Sequence, residues 1–99
     1  MRRGTTPTLS LMIDDVDFSL IEKAELTLRQ REKNIIVKNM KIYVEQTVLQ
    51  TKLTQQETLL LKSGDCLLQV KVLFNDGNVA ATDIITINVQ DILNGEVFT

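Results

Sequence analysis

Apolar and polar residues alternate along most of this chain, and a period of two predicts β-strands. The segment Lys23–Arg29 shows the pattern well, with Leu26 and Leu28 expected to point inward between charged and polar neighbours. A strand with one dry and one wet face is typical of an antiparallel sheet. The segment Thr8–Ile13 alternates in the same way behind Pro7, which favours a strand at the edge of a sheet.

The middle of the chain holds shorter apolar runs. Three short strands are predicted there, separated by polar turns, over Ile35–Lys38, Lys41–Val44 and Val48–Leu53. A single helical pattern follows them. Thr54 stands three residues before Glu57, which is the spacing of a helix capping box, so one or two helical turns are predicted within residues 54–61.

The strongest strand pattern lies near the C-terminus. Its predicted inward residues are Cys66, Leu68, Val70, Val72 and Phe74. Asp76-Gly77 then predicts a tight type I′ turn, because glycine tolerates a positive φ. A return strand is expected over about residues 79–90. Asp83 would interrupt its apolar face, so we expect a β-bulge near Ala81–Asp83 that turns this carboxylate outward.

These elements amount to about seven short strands and one helical turn, in a chain whose 99 residues suit a single domain. We expect an all-β, immunoglobulin-like antiparallel β-sandwich over residues 1–99, with the helical turn at the crossing between its sheets. A small barrel is the alternative. Residues 1–6 are expected to form a flexible N-terminus, and residues 93–99 a tail whose order the pattern does not decide.

Composition narrows the classes of partner. The chain is 43% hydrophobic and 24% charged with a net charge of −2, which disfavours both disorder and binding to nucleic acid. No apolar run approaches the length of a membrane span, so no membrane partner is expected. The opening Met1–Pro7 holds two arginines with no apolar stretch behind them, so we expect no secretion signal and a cytoplasmic product.

Catalytic side chains are scarce. The chain contains no histidine, which is the commonest general base and metal ligand, and its single cysteine, Cys66, is expected to be a small buried apolar residue. Its four glycines form no phosphate-binding loop. We therefore expect no enzyme and no cofactor. The enzymatic alternative is a hydrolase with two carboxylates, which would need an inward pair beside a cleft.

Three further features of the sequence are candidate binding sites. Asp14, Asp15 and Asp17 could offer oxygen ligands to Ca²⁺, but the spacing of an EF-hand is missing and a solvated loop is expected. The basic residues around the polar turn predicted at Arg31–Asn34, called the second turn below, lack the aromatic neighbours that stack on single-stranded nucleic acid. Tyr43 alone would make a thin platform for a sugar. The candidate bases around that turn are Arg29, Arg31, Lys33 and Lys38.

A surface for protein partners is the remaining candidate. Leu67 and Leu73 share the outward face of the strongest strand with Gln69 and Lys71, which makes that face less polar than a solvated sheet requires. These four residues are the predicted interaction face, and scattered surface leucines are the alternative interpretation. The edge strand Thr8–Ile13 is a second candidate, because unpaired backbone groups accept an added strand.

Several segments together resemble small β-domain proteins that phages and prophages of Gram-positive bacteria encode among their virion structural genes. The segments that carry the resemblance are Arg2–Thr8, Leu53–Leu59, Gly64, Gln69–Val72 and Asp76–Thr82. The resemblance includes no catalytic motif. It implies a tail- or baseplate-associated structural or assembly-accessory protein that packs against copies of itself or other virion proteins. Such a protein would be made in the host bacterial cytoplasm and incorporated into phage particles. A surface adhesion or carbohydrate-binding β-sandwich module is the alternative.

Overall fold

The computed structural model describes residues 1–93, 95 and 97. In that part of the chain, eight strands lie in two antiparallel sheets, joined by one α-helix and one 3₁₀ turn. The strands are β1 (Thr8–Met12), β2 (Ile21–Gln30), β3 (Lys33–Asn39), β4 (Lys41–Tyr43), β5 (Val48–Lys52), β6 (Gly64–Phe74), β7 (Val79–Ala81) and β8 (Ile85–Val89). The 3₁₀ turn spans Phe18–Leu20 and the helix α1 spans Gln55–Leu60.

The smaller sheet has the order β1-β5-β4, and the larger has the order β3-β2-β6 with both β7 and β8 beside β6. In the lettering of immunoglobulin domains, the smaller sheet corresponds to strands B, E and D. The larger corresponds to C′, C, F and G. The predicted immunoglobulin-like antiparallel sandwich is therefore confirmed, with two separate sheets in place of a closed barrel.

The core lies where the inner faces of the two sheets meet. Leu26 on β2 and Val70 on β6 are each 1% exposed, and they face each other in the register of the two strands. The inward alternation predicted for both strands is confirmed, because every second residue of β6, and of β2 from Ala24 onward, falls on this face. Other core residues are Phe18, Ala24, Leu28, Ile36, Leu49, Leu53, Leu61, Cys66, Val72 and Val89.

Helix α1 carries the chain from the smaller sheet to the larger one. The Thr54 hydroxyl accepts from the Glu57 backbone N–H at 3.1 Å, and the Glu57 carboxylate accepts from the Thr54 N–H at 2.8 Å. The predicted capping box is thus present at the predicted place. Leu61, directly after the helix, is fully buried and fixes the crossing against the core.

The hairpin turn at Asp76-Gly77 differs from the prediction. Gly77 has a φ of 89° but Asp76 does not share the left-handed region, so the predicted type I′ turn is wrong at this hairpin. The Asp76 carboxylate accepts from the Asn78 backbone N–H at 2.9 Å and stabilises a three-residue loop instead. The two-residue turn with both φ values positive is the one at Arg31 and Glu32, at 50° and 65°.

The return strand after this loop is broken into β7 and β8. Its pairing with β6 advances from Ala81 opposite Lys71 to Ile85 opposite Leu68. The return strand therefore holds one residue more than β6 over that stretch, which is the predicted β-bulge. Asp83 lies within it and is exposed, as expected.

The N-terminal residues 1–6, expected to be flexible, are partly paired in the structure. Arg2 forms a parallel bridge with Gln90 just beyond β8, and the Arg3 backbone N–H donates to the Gln90 carbonyl at 2.9 Å. The paired segment at the N-terminus is only three residues long. Such a segment is too short to show a periodicity, so the sequence pattern could not reveal this pairing. The expectation for the tail 93–99 lies in part outside the described residues.

Candidate interaction surface

The larger sheet has one face against the core and one turned away from the smaller sheet, here called the outer face. The structure brings the four predicted residues of β6 together on it. Leu67 is 38% exposed, Lys71 is exposed, and Gln69 and Leu73 are half-buried. Their common orientation follows from the alternation of the strand. That they bind a partner stays a prediction.

Three further apolar side chains enlarge the exposed apolar area on this side of the larger sheet. Val37 on β3, Val79 on β7 and Ile84 in the bulge are 53%, 59% and 61% exposed. Val79 pairs with Leu73 across the sheet, and Val37 pairs with the outward residue Thr27. Sequence reasoning missed all three, because their position depends on the register between strands and on the extra residue of the bulge.

A groove of about 250 Å³ lies on the outer face, where β2 and β6 form its floor and the bulge forms one side. We call it the outer groove. The lining residues that matter below are Arg29, Leu67, Gln69, Lys71, Ala81 and Ile84. They combine apolar contact area with polar and cationic groups, a mixture typical of protein interfaces.

The outer groove carries positive charge. Arg29 donates through Nε to the side-chain oxygen of Asn34 at 2.9 Å, and its guanidinium forms no ion pair among the described residues. Lys71 likewise has no carboxylate partner in that part of the chain. No Asp or Glu lines the groove. Two cationic side chains therefore line this concavity without forming an ion pair in the described part of the chain, and the carboxylate nearest in register is Glu25, opposite Lys71.

Hydrogen bonds hold the side of the groove in place. The Thr82 hydroxyl accepts from the Val70 N–H at 3.1 Å, and the Thr82 N–H donates to the Val70 carbonyl at 2.9 Å. The Gln69 side-chain amide donates to the Thr82 carbonyl at 2.8 Å. These bonds replace the regular ladder at the bulge and fix the segment that presents Ile84.

The acidic cluster occupies the loop between β1 and the 3₁₀ turn. Asp17 caps that turn, since its carboxylate accepts from the backbone N–H and the hydroxyl of Ser19 at 3.0 and 2.6 Å. These hydrogen bonds lower the pKa of Asp17. Asp14 and Asp15 are exposed. Among residues 1–93, 95 and 97, no group of three or more acidic, cysteine or histidine side chains is placed to hold a metal ion.

The remaining candidates are held by local contacts. Lys38 forms an ion pair with Glu57 at 2.7 Å, so it is not part of an open basic patch around the second turn. The Lys41 ammonium lies 5.6 Å from the ring centroid of Tyr43 on β4. Cys66 is fully buried, and burial raises the pKa of its thiol, which keeps it in the unreactive protonated form.

Strand β1 is the predicted sheet edge. Within the described residues it pairs with β5 alone, and the Leu53 N–H donates to the Pro7 carbonyl at 3.0 Å at the start of this ladder. Because antiparallel pairs alternate, the backbone groups of Thr8, Ser10 and Met12 point away from β5. This edge is a second surface on which a strand can be added.

Comparison with known proteins gives a likeness of fold. A scan of protein-family models finds no match, and neither does a search of curated proteins. A solved structure of a cycloalternan-degrading enzyme from Trueperella pyogenes is similar over 90% of this chain, with a TM-score of 0.66 and 13% identity. The same enzyme in complex with isomaltose gives a TM-score of 0.64 and 15% identity, again over 90%.

In both comparisons this chain spans only 11% of the enzyme's chain. At such identity the similarity shows a shared fold and nothing of shared activity. In the described part of the present chain, no helix is both long and apolar enough to cross a bilayer.

Proposed function

We propose that this chain is a non-catalytic β-sandwich domain that binds protein through the outer face of its larger sheet. The observation that carries the proposal is the outer groove, in which Leu67 and Ile84 lie beside Arg29 and Lys71. Apolar anchors surrounded by polar and cationic groups on a rigid sheet are what a protein partner requires.

The same groove is a poor fit to a catalytic site. Its volume of about 250 Å³ is small for a substrate pocket, and no carboxylate lines it. Among the described residues the buried polar side chains are Gln30, Thr51 and Thr58, so no buried Asp or Glu pair is available for glycoside hydrolysis. These facts support a binding role over the hydrolase alternative.

The biological setting that we propose is a phage particle. The chain would be a structural or assembly-accessory protein of the tail or baseplate, made in the host cytoplasm and packed against copies of itself or other virion proteins. The sequence resemblance supports this setting. Mass spectrometry of purified particles is the test. Absence of the chain from both particles and assembly intermediates would contradict the setting, but would leave the binding face itself open.

Photo-crosslinking tests the binding face directly. A photoreactive amino acid at Leu67 places the probe on the outer face, and the same probe at Lys41 on β4 is the control on the opposite sheet. We expect a crosslinked protein partner from position 67 and little from position 41. Equal crosslinking from both positions, or none from position 67, would overturn the assignment of this face.

A carbohydrate-binding module is the second candidate. The shared fold with part of a cycloalternan-degrading enzyme, solved with isomaltose, favours it. Tyr43 on β4 is a partly exposed aromatic that would serve as a platform. Calorimetry with isomaltose and larger α-glucans is the test. Binding that disappears in Tyr43→Ala would favour this candidate, and the absence of any binding heat would remove it.

A further inference from the structure

We propose that the outer groove receives the acidic β1–β2 loop of a second copy of this chain, so that copies join loop to face. This inference rests on the proposed function and names the partner of the same surface. The loop is defined here as residues 13–17, with Asp14 and Asp15 at its tip.

The loop has the chemistry that the groove lacks. Asp14 and Asp15 are exposed, and neither forms an ion pair or hydrogen bond among the described residues. Asp15 has a φ of 60°, which places it in a tight turn at the end of the sandwich. The Asp17 carboxylate is already used by Ser19, so the two free carboxylates are those at the tip.

Charge complementarity selects this arrangement. The groove presents Arg29 and Lys71 with no carboxylate in its lining, although the whole chain has a net charge of −2. The loop presents two carboxylates without a cation. Each side therefore offers charged groups that form no ion pair within their own copy, and oppositely charged patches of this kind favour encounter and fix orientation.

Face-to-face pairing is disfavoured by the same charges. A two-fold axis through the outer face would bring Arg29 and Lys71 of one copy close to the same residues of the other. Lys23 adds a further positive charge on that face, and Glu25, which lies opposite Lys71 in the register, offsets only one of these three charges. Juxtaposed like charges cost free energy, so the self-complementary dimer is the poorer solution.

A loop-to-face contact has a consequence for assembly. It is heterologous, because the two copies contribute different surfaces. Each copy in such a pair still has either a free loop or a free groove, so further copies can add until a ring closes or a chain grows. The contact is small, so each single step should be weak and sensitive to salt.

Sedimentation velocity of the full chain, over a range of concentrations at low and high salt, is the first measurement. We expect self-association that weakens as salt rises. Arg29→Glu with Lys71→Glu should weaken it about tenfold, since two attractions become repulsions. The matched control is Lys41→Glu with Lys52→Glu, which makes the same charge change on the smaller sheet and should leave association unchanged.

A mixing experiment separates this arrangement from others. Asp14→Asn with Asp15→Asn removes the loop charges and keeps the turn, because asparagine tolerates a positive φ. We expect this variant and the groove variant each to self-associate about tenfold more weakly than wild type, so both are studied at concentrations where each alone is monomeric, with thermal unfolding checked for both. Mixed together, they should form a dimer and nothing larger, since the mixture holds one intact loop and one intact groove per pair.

The outcomes are distinct. A mixed dimer that stops at two copies supports the inference. Wild type that stays monomeric at every concentration and salt overturns it, and so does association that ignores the loop substitutions. In either case a crosslink from Leu67 to a different protein would preserve the proposed function. Failure to crosslink to any protein, including a second copy, would remove both.

Discussion

The two faces of β6 have different roles although their side chains alternate along a single strand. Val70 and Val72 on the inner face are 1% and 3% exposed, and they pack in the centre of the core. Leu67 and Lys71 on the outer face border an open groove. The inner face contributes most of the burial that stabilises the sandwich, and the outer face is free to carry recognition. Stability and binding should therefore be separable by substitution.

The bulge between β7 and β8 is where the two faces depend on each other. Its extra residue returns Ile85 and Ile87 to the inner side after the interruption at Asp83. The same residue places Ile84 at the side of the outer groove. One local irregularity thus preserves the core alternation and shapes the candidate binding surface.

The largest expected effect on stability comes from a substitution on the inner face. Leu26→Ala removes a side chain that is almost completely buried opposite Val70. It should lower the free energy of unfolding by about 2–5 kcal/mol, because the lost burial is compounded by a cavity. Urea denaturation followed by circular dichroism measures it. A loss of unfolding free energy smaller than that caused by substituting an exposed leucine would contradict the difference between the two faces.

The turn between β2 and β3 lies on neither face and should change stability alone. Arg31→Asn with Glu32→Gly replaces two residues at positive φ by residues that tolerate it. We expect the free energy of unfolding to rise by about 1–2 kcal/mol, with self-association unchanged. Thermal unfolding measures the change in stability, and sedimentation velocity measures self-association. A parallel gain in association would mean that the faces are not independent of global stability.

Thr82→Val tests the link between the faces at the bulge. The substitution keeps the shape but removes the hydroxyl that accepts from the Val70 N–H. We expect a loss of about 1 kcal/mol and faster hydrogen exchange in residues 82–84. Thr86→Val, on the exposed side of β8, is the matched control and should change neither. Unchanged exchange in Thr82→Val would show that the bulge does not need this bond.

A smaller effect on stability is expected from a change of pH, acting through Glu57 at the crossing between the sheets. Burial raises the pKa of Glu57, but its bonds with Lys38 and Thr54 outweigh this and leave the pKa below 4.5. A carboxylate with a lowered folded pKa stabilises above its unfolded value and loses that contribution as pH falls through the folded pKa.

Wild type should therefore exceed Glu57→Gln in stability by about 1 kcal/mol or less near neutral pH, because a partly exposed ion pair contributes little. Glutamine retains the helix cap, so the comparison isolates the charge. The difference should shrink in acid, as pH falls from the pKa of glutamate in the unfolded chain through the lower pKa of Glu57 in the folded protein. Unfolding measured across this range checks the sign, and a difference that grows in acid would contradict it.

The smallest expected change in stability is on the outer face. Leu67→Ser should alter the free energy of unfolding by no more than about 0.5 kcal/mol, because the side chain is partly exposed already. It should nevertheless weaken self-association, which sedimentation velocity measures. A large stability loss with unchanged association would reverse the roles assigned to the two faces.

Much of the strand layout could be predicted from local pattern. The inward residues of β2 and β6, the capping box at Thr54 and the bulge near Asp83 each depend on a few neighbouring residues. The type I′ turn at Asp76-Gly77 was wrong, because the Asp76 side chain bonds to the backbone of Asn78 and favours another loop. The part of the candidate surface that was predicted is the row of outward residues on β6.

The sequence alone determined which strand residues point into the core and which point to solvent, because alternation is set by the covalent geometry of an extended chain. It could not determine which strands lie side by side. Arg29 and Ile84 are far apart along the chain, and they meet at one groove only because β2 and the bulge both flank β6. The pairing of Arg2 with Gln90 has the same origin. Such contacts depend on distant registers that form together when the sheets close, and no short stretch of residues specifies them.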